Sequence, residues 1–299
     1  MTHRIRESIV HFAQGLLMGG ADIIPGVSGG TMALIVGIYR RLIAALSSGF
    51  SSVVALLRLD VRQARIRLTE VEWTLVFPLL VGIVSALLIG ARFIPFLLET
   101  YPHECMGLFF GLVAGSIAIP WRRVDRYSGP ILFVAAAAAV LAFILTGIPP
   151  QESETPTMLK VFAAASVAIC AMILPGVSGA FLLKVFGMYE VTLQALNTGN
   201  VGFVAVFIAG AVCGLGLFSK LLNLLLSRWT SMTMAALVGL MVGALRALWP
   251  WQAADRALQL PGAGDPVWSV VGLGLAGFAF VTLLAFWGSR IEHGLENMA

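Results

Sequence analysis

The chain has 299 residues, 59% of them hydrophobic and 11% charged, with a formal net charge of +4 and a mean hydropathy of +0.94. Apolar runs near spanning length in such a composition exclude a water-soluble globular protein and define an all-α polytopic membrane protein. The few Arg and Lys stand at segment ends, as loop anchors do, so membrane lipids are expected as partners and nucleic acid is not. The three cysteines, Cys105, Cys170 and Cys213, have neither disulfide nor zinc spacing, and no metal site or cofactor is expected.

In chain order, Arg4 and Arg6 precede an apolar stretch that Gln14 and Asp22 interrupt. No small-residue cleavage site follows cleanly, so this stretch is not expected to be a removable signal peptide. Apolar segments are predicted over 9–24, 28–46, 74–98, 105–120 and 129–147, and then over 158–174, 178–196, 201–226, 231–248 and 266–287. The two sets of five reflect an internal repeat. Pro25-Gly26-Val27-Ser28-Gly29 returns as Pro175-Gly176-Val177-Ser178-Gly179, 175 − 25 = 150 positions on, and Gly37 and Tyr39 return as Gly187 and Tyr189. A second block repeats at a shift of 128, pairing Gly82 with Gly210, Gly111 with Gly239, Gly115 with Gly243 and Trp121 with Trp249. The difference, 150 − 128 = 22 residues, falls in a polar stretch of the first half around Arg58 to Trp73. Residues 1–150 and 151–299 are therefore read as two repeats of one membrane domain, each a helical pair broken at the Pro-Gly tract followed by three transmembrane helices.

Charge placement orients the chain, because short cytoplasmic loops hold Arg and Lys. Arg4 and Arg6 on one side, and Arg40, Arg41, Arg58, Arg62, Arg65 and Arg67 on the other, put both ends of the first broken pair inside. Arg122, Arg123 and Arg126 mark the next inside loop, Arg228 and Arg290 the remaining inside ends, and the acidic stretches near Glu104 and Glu154 fall outside. Both termini are then cytoplasmic and the halves have inverted topology. Each broken pair reads as a re-entrant hairpin, because short arms carrying Gln14 and Asp22 make poor lipid-facing spans. Two thin full spans remain the alternative. Exposed backbone at membrane depth needs protein or a wet cavity around it, so the two hairpin tips are expected to meet at a polar cavity.

The tips carry anion chemistry. Gly26, Gly29 and Gly30, with Gly176 and Gly179 in the second copy, allow close backbone approach; Ser28, Thr31 and Ser178 add hydroxyls beside unpaired helix-start N–H groups. Close helix packing and self-capping by serine account for the same residues without a ligand. Arg92 pairs with Lys220 under the 128 shift, and both sit in apolar segments, where they either meet a ligand or snorkel to an interface. Lys184 can lean back toward Ser178, and Arg246 is a weaker cation. Asp22 and Glu190 are candidates for pairing with these cations or for carrying a coupling proton. The glycine-rich stretch Gly272 to Gly277 suits a neighbouring span or another subunit equally, which leaves a homo-oligomer open.

The run Gly-Gly-Ala-Asp-Ile-Ile-Pro-Gly-Val-Ser-Gly-Gly-Thr at 19–31, with its echo Leu-Pro-Gly-Val-Ser-Gly at 174–179, resembles the bacterial polyprenyl-phosphate transporter family over nearly the whole chain. The resemblance implies a flippase of the bacterial cytoplasmic membrane that returns undecaprenyl phosphate, the lipid carrier of cell-wall sugars, from the outer to the inner leaflet. The second copy departs from the first at Ala180 and Phe181, where the first has Gly30 and Thr31. Two other classes are weighed beside it. A secondary transporter of another anionic solute needs the same tips. An intramembrane serine protease would use Ser28 in its Gly-x-Ser-Gly setting, but needs a base. The histidines are His3, His11, His103 and His293; two are terminal, one lies in an outer loop, His11 on the segment leading to the first tip reads as an interfacial residue, and a duplicated serine suits no single dyad. No enzymatic activity, and so no catalytic residue, is expected.

Overall fold

The protein is seen in a computed structural model that describes residues 2–23, 28–125, 127–149 and 156–296, and their side chains except at 2–4, 91–95, 284 and 286–296. The helices are α1 (Thr2–Ile23), α2 (Gly29–Ile35), α3 (Tyr39–Leu57), α4 (Val61–Thr69), α5 (Trp73–Thr100), α6 (Pro102–Ser116), α7 (Ala118–Trp121), α8 (Gly129–Thr146), α9 (Met158–Ile173), α10 (Gly179–Val185), α11 (Tyr189–Asn197), α12 (Val201–Arg228), α13 (Thr230–Ala244) and α14 (Val267–Glu296). A 3-10 turn, Leu245–Leu248, follows α13. Among the described residues, six segments are long and apolar enough to cross a membrane: Tyr39–Leu57, Trp73–Gly90, Pro102–Trp121, Gly129–Thr146, Val201–Arg228 and Thr230–Leu248.

The main departure from the predicted segments lies after each Pro-Gly tract. The arms expected over 28–46 and 178–196 are each two helices, broken at Gly37 and Gly187. Both glycines are left-handed, with φ +79° and +67°, which only glycine adopts without a Cβ penalty. The same closing bonds recur 150 positions apart: Gly37 N–H to Leu34 O (3.2 Å) and Ile38 N–H to Ala33 O (3.0 Å), then Gly187 N–H to Lys184 O (3.0 Å) and Met188 N–H to Leu183 O (2.7 Å). Beyond the break, α3 runs on to Leu57 as a candidate span, whereas α11 ends at Asn197.

The chain divides into two compact units. The first comprises Met1–Ala91 and Pro149–Thr230, so it holds α1 to α4, most of α5, and α9 to α12. Its helix pairs meet through glycines. A Cβ at Gly82 of α5 would collide with the Phe12 carbonyl of α1, and one at Gly210 of α12 with the Phe162 carbonyl of α9. With lipid as solvent, association relies on such close backbone contact and on hydrogen bonds between helices. Ser166 supplies one, its hydroxyl 2.8 Å from the Gly210 carbonyl. On the other side of α12, Gly216 accommodates the Phe50 ring of α3, and Arg40 reaches the Leu226 carbonyl (3.1 Å) and the Thr230 hydroxyl (3.2 Å).

The second unit, Arg92–Ile148 and Ser231–Ala299, uses the same device. Gly111 and Gly115 of α6 admit the backbones of Gly274 and Phe278 in α14; Gly239 and Gly243 of α13 admit those of Ala135 and Ala139 in α8. The partners keep one offset, 274 − 135 = 278 − 139 = 139, so the two pairs pack in matching register. Each unit thus draws elements from both halves of the sequence.

Candidate functional site

In the first unit the ends of the two Pro-Gly tracts interlock. The first turn itself, residues 24–27 with Gly26, lies outside the described residues. Ser28 caps α2 from an extended conformation, its Oγ accepting the Gly30 N–H at 3.1 Å. Its hydroxyl donates across to the opposite tract, to the Met172 carbonyl at 2.8 Å with the Leu174 carbonyl at 3.2 Å. Thr31 returns the contact by accepting the Gly176 N–H at 2.9 Å. Ser28 and Thr31 are almost fully buried, at 1% and 0% exposure. Gly30 must be glycine because any Cβ would strike the Ile173 carbonyl. Gly176, at φ +84°, makes the reversal that aims its N–H at Thr31.

Expected as an open anion site, the start of α2 already holds a carboxylate of its own chain. Asp22 Oδ1 accepts the Gly29 N–H at 2.7 Å, and Ser28 takes up the next three amides through its hydroxyl and carbonyl. The start of α10 differs. Ser178 caps it by accepting the Phe181 N–H at 3.3 Å, but among the described residues its hydroxyl proton meets no acceptor. Ser178, Gly179, Ala180 and Asp22 line a cavity of about 140 Å³, walled by aliphatic groups of α9, Leu183 of α10, and Phe207 and Ala211 of α12. That volume suits a few waters or one phosphate-sized group.

Among the sequence-predicted site residues, Asp22, Ser28, Gly29, Gly30, Thr31, Gly176, Ser178 and Gly179 come together here. The cations do not line the cavity. Lys184, expected to lean toward Ser178, stands over the Tyr189 ring at 4.7 Å from its centroid, because the reversal at Gly187 folds α11 back beneath the last turn of α10. Lys220 stands 5.3 Å from the Phe50 ring centroid, Glu190 is exposed, and the Arg92 side chain lies outside the described residues. Arg246, in the second unit, donates to the Phe143 (3.2 Å) and Arg256 (3.4 Å) carbonyls. His11 bonds to Gln14 at 2.8 Å and lies 3.4 Å from Arg41, and Ser28 donates to carbonyls instead of a base. Sequence reasoning missed the cross-tract clamp of Ser28 and Thr31; its signal was a hydroxyl pair beside a glycine at the first tract only.

Helices throughout the described secondary structure, six of whose segments are long and apolar enough to span a membrane, define a multi-pass membrane protein. Comparison with known proteins then places it. The chain belongs to the undecaprenyl phosphate translocase-like family, whose profile it matches over residues 18–262. It is 36% identical over 241 residues to the polyprenyl-phosphate transporter of Vibrio cholerae serotype O1, an alignment covering 81% of this chain and 77% of that protein. It is 30% identical over 260 residues to the polyprenyl-phosphate transporter of Staphylococcus aureus, covering 81% and 86% respectively. No solved structure matches the chain.

Proposed function

We propose that this chain transports polyprenyl phosphate, returning undecaprenyl phosphate from the outer to the inner leaflet of the bacterial cytoplasmic membrane. The observation that carries this reading is the cavity beside the interlocked tracts, where Ser178, whose hydroxyl proton meets no acceptor among the described residues, lines with Gly179, Ala180 and Asp22 a space whose other walls are apolar. A phosphate head group fits such a site because hydroxyl and amide donors replace its water, while the prenyl tail stays in lipid. The family membership and both named relatives point to the same cargo.

In this reading residues 1–150 and 151–299 are inverted repeats, each with a re-entrant hairpin at its Pro-Gly tract, and both termini are cytoplasmic. Alternating access comes from the halves exchanging conformations about the shared tips. Arg92, Lys184 and Lys220 compensate the head-group charge along the route into and out of the cavity. Asp22 supplies coupling: an ionised carboxylate and a phosphate repel each other in a dry site, so the anion enters when Asp22 takes up a proton. Glu190, exposed at the start of α11, is less suited to that role.

Flux of polyprenyl phosphate in proteoliposomes tests both assignments. Ser178→Ala should lower the rate about tenfold or more, the loss of one charge-assisted hydrogen bond, and Asp22→Asn should abolish the dependence of rate on the proton gradient. Wild-type flux in Ser178→Ala would remove the cavity from the mechanism. Movement of a soluble organic phosphate at the same rate would reassign the cargo to another anionic solute.

A further inference from the structure

The one stretch without a counterpart in the second half is the polar insertion between α3 and α5. Its first turn has the same form as the turn between α11 and α12. After α11 the chain reverses at Gly199, φ +66°, with Gly199 N–H bonded to Leu196 O (3.3 Å) and Asn200 N–H to Ala195 O (2.9 Å). After α3 the same closure is made by Leu59, whose N–H bonds to Leu56 O (2.9 Å) while Asp60 N–H bonds to Ala55 O (3.0 Å). Asp60 and Asn200 then cap the next helix in the same way, accepting from Gln63 (2.9 Å) and Phe203 (3.1 Å). Leu59 therefore holds φ +58° in a turn of the form that glycine makes at position 199. A leucine there carries the left-handed penalty that glycine escapes, and its side chain gains no burial within the chain, being 89% exposed.

Its neighbours share that exposure: Leu57 is 80% exposed and Val61 68%. Around them stand Arg58, Arg62 and Arg65, all exposed. Among the described residues the ion pairs of this region join Arg67 to Glu70 and Arg41 to Glu72, and these three guanidinium groups have no carboxylate partner. The segment is held at a definite level. On one face Ala64 is buried, its carbonyl accepting the Ser52 hydroxyl of α3 at 2.9 Å; at the far end the Trp73 indole N–H bonds to the Leu68 carbonyl at 3.0 Å. Since α3 ends a candidate span at Leu57 and α5 begins one at Trp73, α4 joins the ends of two candidate spans, the part of a membrane chain that meets head groups. Indole rings favour that depth.

We propose that the turn at Leu59 and helix α4 form a docking patch for anionic phospholipid head groups, with Leu57, Leu59 and Val61 entering the acyl boundary and Arg58, Arg62 and Arg65 meeting lipid phosphates. An amphipathic element of this kind binds through buried apolar area together with attraction to acidic lipid. The patch is separate from the tips and stands whether or not they hold phosphate.

The test uses the full chain, with Cys105, Cys170 and Cys213 replaced by alanine and a nitroxide attached at Leu59→Cys or, as control, at Gln63→Cys. In vesicles containing phosphatidylglycerol, the label at 59 should collide with oxygen in preference to a water-soluble nickel chelate, and the label at 63 should show the reverse. The preference of the protein for spin-labelled phosphatidylglycerol over phosphatidylcholine should fall about fivefold or more when Arg58, Arg62 and Arg65 are changed together to Gln, the worth of roughly one such charge at a membrane surface. Leu59→Gly, which relieves the backbone, should leave thermal unfolding no worse and move a label at Val61→Cys toward water. Water accessibility at 59 unchanged between phosphatidylglycerol and phosphatidylcholine vesicles would overturn the proposal. So would dipolar broadening between labels at 59, which would assign the patch to a second copy of the chain.

Discussion

The starts of α2 and α10 share the Pro-Gly-Val-Ser-Gly motif and have opposite chemistry. At α2 every early amide is bonded, to Asp22 or to Ser28, and the serine proton is committed to the other tract. At α10 the serine caps with its lone pair, and among the described residues its proton meets no acceptor. The two copies of the motif thus differ in their contacts: the first clamps the two tracts together, and the second lines the cavity. What decides the outcome is outside the motif: Asp22 precedes the first copy, and position 172, its counterpart at the 150 shift, is Met.

The comparison is broken most severely at Gly30. A methyl there meets the Ile173 carbonyl, backbone against backbone, and Gly30→Ala should cost about 3 kcal/mol or prevent accumulation of folded protein. Gly20→Ala, whose Cβ would meet open space, should leave thermal unfolding in detergent unchanged or slightly raised. Thr31→Val comes next. It strands the buried Gly176 N–H and should lower stability by about 1–3 kcal/mol, with Thr31→Ser restoring most of it. Equal unfolding temperatures for the Val and Ser variants would show that the clamp contributes nothing.

The serines sharpen the contrast. Ser28→Ala removes a cap and a cross-tract bond together and should cost about 1–2 kcal/mol of stability, whereas Ser178→Ala should cost about 1 kcal/mol or less while causing the larger loss of polyprenyl phosphate flux per unit of stability lost. Identical ratios in the two variants would mean that the copies do the same work.

The smallest effect lies at the surface, where Arg41 pairs with Glu72. The hydrogen bond from Arg41 holds the Glu72 carboxyl below its ordinary value. A depressed carboxylate adds stability that is fully present above the ordinary glutamate range, near pH 4.3, and is lost as pH falls through the lowered value. Because both side chains are more than a third exposed, the gain should stay below about 1 kcal/mol. Unfolding of wild type and Glu72→Gln should therefore differ at neutral pH and converge in acid. A difference that persists in acid would exclude the pair as its source.

Much of this architecture could be read from residues alone. Hydropathy points to the candidate spans within 74–98, 105–120, 129–147, 201–226 and 231–248, and the cost of bare backbone in lipid points to the contact between the tips. The second break, at Gly37 and Gly187, was visible as a repeated Gly-x-Tyr but was read as helix interior, because a glycine inside an apolar run looks the same whether it packs or reverses the chain. Asp22 was noticed for its charge, yet its bond to Gly29 depends on how the turn at 24–27 returns the chain, which spacing does not reveal. The direction of Lys184 was missed for a related reason: leaning toward the N-terminus describes an isolated helix, and the Tyr189 ring supplied by the next reversal outweighs it.

Each compact body is assembled from pieces of both copies, with α1 and α5 sharing one body with α9 and α12, and α6 and α8 sharing the other with α13 and α14. Severing the polypeptide near its middle would therefore release two fragments, neither of which owns a finished body, and only their reunion would restore either one.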